Sequence, residues 1–318
     1  MTEVSTLRAF ESGDVFVGAT RIRDAELDDH AGDGRIIQYD RDLNQKAVLW
    51  VQGTTHLISG LDFAPDGTLW GCDAWSYQLV RVANNGHQQA NLHVADRGFA
   101  HLVFPGDDTV YLCENWVGEQ VPSAINTVLP IMPGEAKKLG DGYLYHCTQD
   151  GRILAELKPE VHGGIRGFIG LSHAELMPDG HTLVYISETG PRVMRFDLAD
   201  RRQLPDLHNY EEDGRPKCFD MAIDGDGNVA ICMGTRIDII DSSGKVLESV
   251  SLPGDVRGWS VICADQDPRY MYVANWFTGV LIKLELSTGE VLAETVIEPK
   301  CVAGLAQFTW SSESDTQT

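Results

Sequence analysis

The chain has 318 residues, with 25 Lys and Arg against 47 Asp and Glu, which gives a formal net charge of −22. That excess of acid argues against a phosphate-binding surface for nucleic acid and against docking on anionic lipid. Apolar residues make up 43% of the chain, enough for a packed core. No apolar run approaches the roughly 18 residues of a membrane span.

The opening stretch, MTEVSTLRAFESGDVFVGA, shows no basic start followed by an apolar segment, so the expected location is cytoplasmic. Seven cysteines, at 72, 113, 147, 218, 232, 263 and 301, are scattered without CxxC spacing, as reduced and buried thiols are. In chain order, the first strands expected are DVFVGA (14–19), GRIIQYD (34–40) and AVLWVQG (47–53), interrupted by 20–33. LDFAPDGTLWGCDAWSYQLVRV (61–82) then sets a pattern of strand, acidic turn, strand, polar turn, strand. LVFPGDDTVYLCENW (102–116) repeats it and is followed by an apolar, three-proline insertion at 117–141, which reads as a lid over a channel mouth. The pattern returns at 174–198, 221–250 and 261–295, at a period of about 40–50 residues. The last apolar segment is CVAGLAQF (301–308).

The turns PDG, GDD, DGDG and DQDP supply residues that accept tight hairpin geometry. A four-stranded meander with two apolar faces cannot bury both alone, so the units must stack, and radial stacking protects most strand edges. The expected fold is an all-β, six-bladed β-propeller in which 301–308 supplies the innermost strand of the N-terminal blade and closes the ring. One domain is expected over 1–310, with a disordered tail at 311–318.

In a propeller the innermost strands line a central channel. Residues at a fixed distance before each turn Asp therefore lie at one depth. Six residues before that Asp stand Gly60, His101, His173 and Asp220 in successive units. Two histidines and an aspartate in one column form a candidate metal or acid–base site, and Glu175 shares the face of His173. Asp62, Asp66, Asp224 and Asp226 read as turn or strand-end residues. A second column ends the second strands: Asp73 and Trp75, Glu114, Asn115 and Trp116, Glu188 and Thr189, Asn275 and Trp276. Its tryptophans are expected to pack between blades. HGGIRGFIG (162–170) adds His162 as a further candidate beside the mouth. No nucleophile elbow, P-loop or dinucleotide fingerprint is present.

LMPDGHTLVYISETGPRVMRFDL, MAIDGDGNVAI and YVANWFTGVLIKLEL resemble the gluconolactonase–regucalcin and strictosidine-synthase-like superfamily of six-bladed propellers. The resemblance implies a divalent metal, often calcium, in the channel, and hydrolysis of lactones or phosphoesters there. The chain departs from that ligand set: Ser172 stands at the Asn slot with His173 next, and Phe219 at the Asp slot with Asp220 next. Glu11 is the nearest match to the family's N-terminal Glu. Histidine ligands suit Zn, Mn or Fe better than Ca.

The leading expectation is a metal-assisted hydrolase of the lactonase or esterase type, acting on a small organic substrate. A metal at His101, His173 and Asp220 would polarise a carbonyl and activate water, while Glu175 or a histidine moves the proton. The same histidines suit a lyase or isomerase, as in virginiamycin B lyase, a more distant propeller relative. The third alternative is a non-catalytic propeller that binds a ligand or protein partner, which a channel plugged by large apolar residues would favour.

Overall fold

The computed structural model describes residues 6–24, 28–114, 142–161, 170–188, 190–210, 218–254 and 258–309. The expected lid at 117–141, His162, Asn115, Trp116, Thr189 and the tail at 311–318 lie outside these. Among the described residues every regular element is a strand, and no helix is long and apolar enough to cross a membrane.

The first strands are β1 (Val15–Asp24), β2 (Asp28–Tyr39) and β3 (Gln45–Trp50), followed by β4 (Ser59–Phe63), β5 (Leu69–Asp73) and β6 (Gln78–Val82). Four meanders come next. They are β7 (Phe99–Val103), β8 (Thr109–Glu114), β9 (Leu144–Thr148) and β10 (Ile153–Leu157); then β11 (His173–Leu176), β12 (Thr182–Ile186), β13 (Arg192–Asp197) and β14 (Arg202–Asn209). β15 (Asp220–Ile223), β16 (Val229–Cys232), β17 (Arg236–Ile240) and β18 (Val246–Ser251) form the third, and β19 (Trp259–Ala264), β20 (Tyr270–Asn275), β21 (Val280–Glu285) and β22 (Val291–Val296) the fourth. β23 (Val302–Gln307) ends the series.

Each meander is a four-stranded sheet, and the remaining strands form one seven-stranded sheet in the order β3-β2-β1-β23-β4-β5-β6. This differs from the expected six separate four-stranded units. β23 runs antiparallel to β1, from Val15↔Gln307 to Ala19↔Val302, and also bridges β4 in parallel through Ala303↔Ser59. That bridge merges two units. The outermost position beyond β6 is held only by isolated bridges, Leu79↔Leu92 and Val82↔Gln88.

The innermost strands touch in order, β4 to β7, β11, β15, β19 and β23, and β23 returns to β4. The arrangement is that of a β-propeller. Its apolar core lies between neighbouring sheets: Ile262, Met271, Val273 and Ile282 pack on Ala230, Cys232, Ile237 and Ile239. β5 and β16 are therefore buried along their whole length, whereas the outermost β22 alternates half-buried and exposed residues. The acidic turns are held by their own side chains: Asp66 accepts a hydrogen bond from Thr68 N–H (2.9 Å) and Asp224 one from Asn228 N–H (2.8 Å). Gly67 and Gly227 follow with φ of +80° and +79°, a conformation that favours glycine.

A polar network laces the last sheet to the first. The buried Asp265 carboxylate accepts from Arg41 (2.7 Å), Lys283 (2.9 Å) and the Tyr272 hydroxyl (2.9 Å). Arg41 lies in the turn between β2 and β3, so the network crosses from the fourth meander to the N-terminal strands.

Candidate functional site

A cavity of about 150 Å³ lies among the innermost strands and is lined from β4, β7, β11, β15, β19 and β23. His101 on β7, His173 and Glu175 on β11, and Asp220 on β15 all line it. They converge because the turns fix strand register: residues equally far from a turn emerge at equal depth. β4 and β7 approach closely because position 60 is glycine, with φ +56°.

His173 Nε2 lies 3.2 Å from Asp220 Oδ1, and the His101 and His173 ring centroids are 5.3 Å apart. Glu175 shares the face of His173 on β11, but the carboxylate that approaches His173 is Asp220, from the neighbouring sheet. Asp220 also accepts the backbone N–H of Met221 and, across the sheet boundary, that of Ile262, both at 2.7 Å. The Glu175 carboxyl makes no hydrogen bond or ion pair with any described residue.

Burial dominates the electrostatics. It pushes His101 down to about 4, against an opposing hydrogen bond with the Ala174 backbone. It holds His173 well below the ordinary histidine value, with His101 adding repulsion. Both rings are therefore neutral near pH 7. Burial also raises Asp220 well above the usual carboxylate range, although two backbone N–H groups oppose it. Glu175 is raised by burial, then by the nearby Asp62 and Asp220. The Nδ1 atoms of His101 and His173 are buried without a hydrogen-bond partner.

The metal implied by the resemblance finds no ready set of ligands in this arrangement. His173 stands 3.2 Å from Asp220, and among the described residues no three His, Cys, Asp or Glu side chains are placed to hold a metal ion. Glu11 pairs with Lys46 at 2.6 Å and is not among the residues lining the cavity.

The second column caps strands. Asp73 Oδ1 accepts from Trp75 and Ser76 N–H (3.0 and 3.1 Å), and Asn275 Oδ1 likewise from Phe277 and Thr278. Glu114 accepts from Tyr143 N–H at 2.9 Å. Sequence reasoning missed Asp62 and Cys263, which also line the cavity. Asp62 stands four residues before its turn Asp, the same offset as Glu175, and that shared offset is the signal that marks it.

The sequence matches no protein-family model and no curated protein. Among solved structures, the fold is similar to a chain in a nidogen/laminin complex, with 12% identity and a TM-score of 0.64 over 93% of this chain and 98% of that one. It is also similar to a chain of Kuenenia stuttgartiensis hydrazine synthase, with 13% identity and a TM-score of 0.54 over 86% of this chain and 84% of that one. Both are β-propeller proteins, and at such identities the β-propeller fold is what they share with this chain.

Proposed function

We propose that the chain is a hydrolase of the lactonase or esterase type, acting on a small organic molecule in the central channel. The observation that carries this reading is Glu175, a cavity-lining carboxyl without a hydrogen bond or ion pair among the described residues, beside His173 and Asp220, which approach to 3.2 Å. Glu175 is the proton-exchanging group. Its raised pKa makes it a stronger base towards water than an exposed carboxylate and a usable acid towards the leaving alcohol. His173 Nε2 stands 3.2 Å from Asp220 Oδ1, near enough to exchange a proton with it, and the neutral rings of His101 and His173 add no competing charge.

The finer architecture is a six-bladed ring of the gluconolactonase–regucalcin and strictosidine-synthase-like type. The order in which the innermost strands touch supports it, and the two units of the seven-stranded sheet are joined at β23 and β4 by a single residue pair. Seven cysteines without a disulfide support a reducing, cytoplasmic location.

The test is turnover of a lactone and ester panel by the full chain and its variants. Glu175→Gln and His173→Ala are each expected to lower turnover about 10²–10⁴-fold, the usual worth of a positioned acid–base group, with little change in melting temperature. Full turnover by Glu175→Gln, or by the double variant His101→Ala/His173→Ala, overturns the reading.

A further inference from the structure

Asp62 is a cavity-lining carboxyl that the proposed chemistry leaves unused. It accepts the backbone N–H of Phe63 at 2.7 Å, and the Phe104 backbone, beyond β7, lies near enough to favour its charged form. Asp220 sits in the same kind of seat, with one N–H from the next residue and one from the neighbouring innermost strand. Two backbone donors favour the charged form of a carboxyl. At Asp220, His173 Nε2 stands 3.2 Å from one carboxyl oxygen. At Asp62 no side chain among the described residues does so: it forms no ion pair with them, and those that line the cavity include neither Lys nor Arg. The backbone there is organised for a carboxylate whose counter-cation the described residues do not supply. Burial accordingly raises Asp62 to about 7. The wall beside it is Gly60, Ala303, Gly304 and Ala306, which leaves room for an apolar body.

We infer that Asp62 is the seat of a primary ammonium group, so that the channel takes a small ester or lactone carrying an amine. The ester half of this rests on the function proposed above; the ammonium seat does not. An ammonium offers three donors and no acceptor, the complement of a carboxyl facing a cavity without donor side chains. A guanidinium fork engages both carboxyl oxygens at once, and the two backbone N–H groups already occupy part of that capacity. A metal ion would need converging ligands, and no such group of three is placed among the described residues.

Isothermal titration of the full chain at pH 7.5 with n-butylammonium, n-butanol and calcium chloride, each alone, tests the seat. Butylammonium is expected to bind about 10- to 100-fold more tightly than butanol, the worth of one charge-assisted hydrogen bond. Asp62→Asn should abolish that preference, Asp62→Glu should keep part of it, and Glu175→Gln should keep it. Melting curves show whether each variant is folded. Equal affinity for the two probes, no binding of either, a preference that survives in folded Asp62→Asn, or calcium displacing the amine would each overturn the inference. Intact ammonium preference without turnover of any ester removes the hydrolase reading alone. Ester turnover without ammonium preference removes the ammonium seat alone.

Discussion

At Gly60 an added Cβ would stand 2.3 Å from the Ala100 carbonyl oxygen and 2.6 Å from the His101 Cα. β4 and β7 can be this close only without a side chain there. Gly60→Ala is expected to push β7 outward, carry His101 away from His173 and cost about 1–3 kcal/mol, the usual range for overpacking. A denaturant melt and a structure of the variant check this; unchanged stability with His101 in place would contradict it. Asp62 gives a pH signature. Its carboxyl titrates near 7 in the folded chain against 3.8 otherwise, so between those values the native state keeps a proton that the unfolded state has lost. Stability from this group is therefore present at low pH and lost as pH rises towards 7. The melting temperature of the protein relative to Asp62→Asn should rise as pH falls from 7 to 4; a constant difference would show that Asp62 does not titrate in that window. His101, His173 and Asp220 are legible in the sequence because a common offset from a turn fixes a common depth. The Asp220 partnership of His173 is not legible, because it crosses between sheets and spacing within one strand carries no record of it.

β1 and β2 continue as a two-stranded ladder from Thr20↔Gly34 to Asp24↔Asp28. By propensity, the Asp- and Gly-rich stretch 20–33 reads as an interruption. Cross-strand contacts override it: Arg21 and Arg23 both pair with Asp33, and the Arg21 guanidinium lies 4.2 Å from the centre of the Trp50 ring. On β2, the His30 ring lies 5.4 Å from both Trp75 and Trp276. His56 stacks on Trp75 at 5.2 Å with an 11° tilt. The recurring tryptophans after β5 and β20 thus pack on the first hairpin from its two neighbours, the role the repeat suggests for them. Trp75→Ala is expected to cost about 3–5 kcal/mol, as for a buried aromatic, and to speed amide exchange in the described part of 20–33. Loss of stability with hairpin exchange unchanged would place the role of Trp75 within its own sheet.

At the scale of the whole molecule, the chain's two ends are one structural unit. β23 fills the place between β1 and β4, and Val302, Leu305, Ala306 and Phe308 are buried. Beyond the ladder, Gly13 N–H donates to the Phe308 carbonyl and Phe308 N–H to that of Asp14, both at 2.8 Å. Phe308 packs on Phe10 and Phe63 with ring centroids 5.5 and 5.1 Å apart, and Phe16 joins the same cluster. The pairing of 301–308 with the first strand is legible because it is one apolar strand left over when the first unit lacks one. The merging of that unit with the next is not legible, since a single parallel pair leaves no periodic trace. Deleting 301–318 would bare the facing edges of β1 and β4, remove the Ala303, Gly304 and Ala306 wall of the cavity, and leave Phe10, Phe16 and Phe63 without their partner. Exposed paired-strand edges and apolar surface drive association rather than folding. The truncated chain is therefore expected to lose its cooperative melt and to aggregate, and a peptide spanning 300–309 added during refolding should restore part of the folded signal. Circular dichroism and size-exclusion chromatography read both outcomes. A truncated chain that melts like the full one would mean that the ring holds without β23, and that its cohesion comes from packing between sheets and the Asp265 network alone.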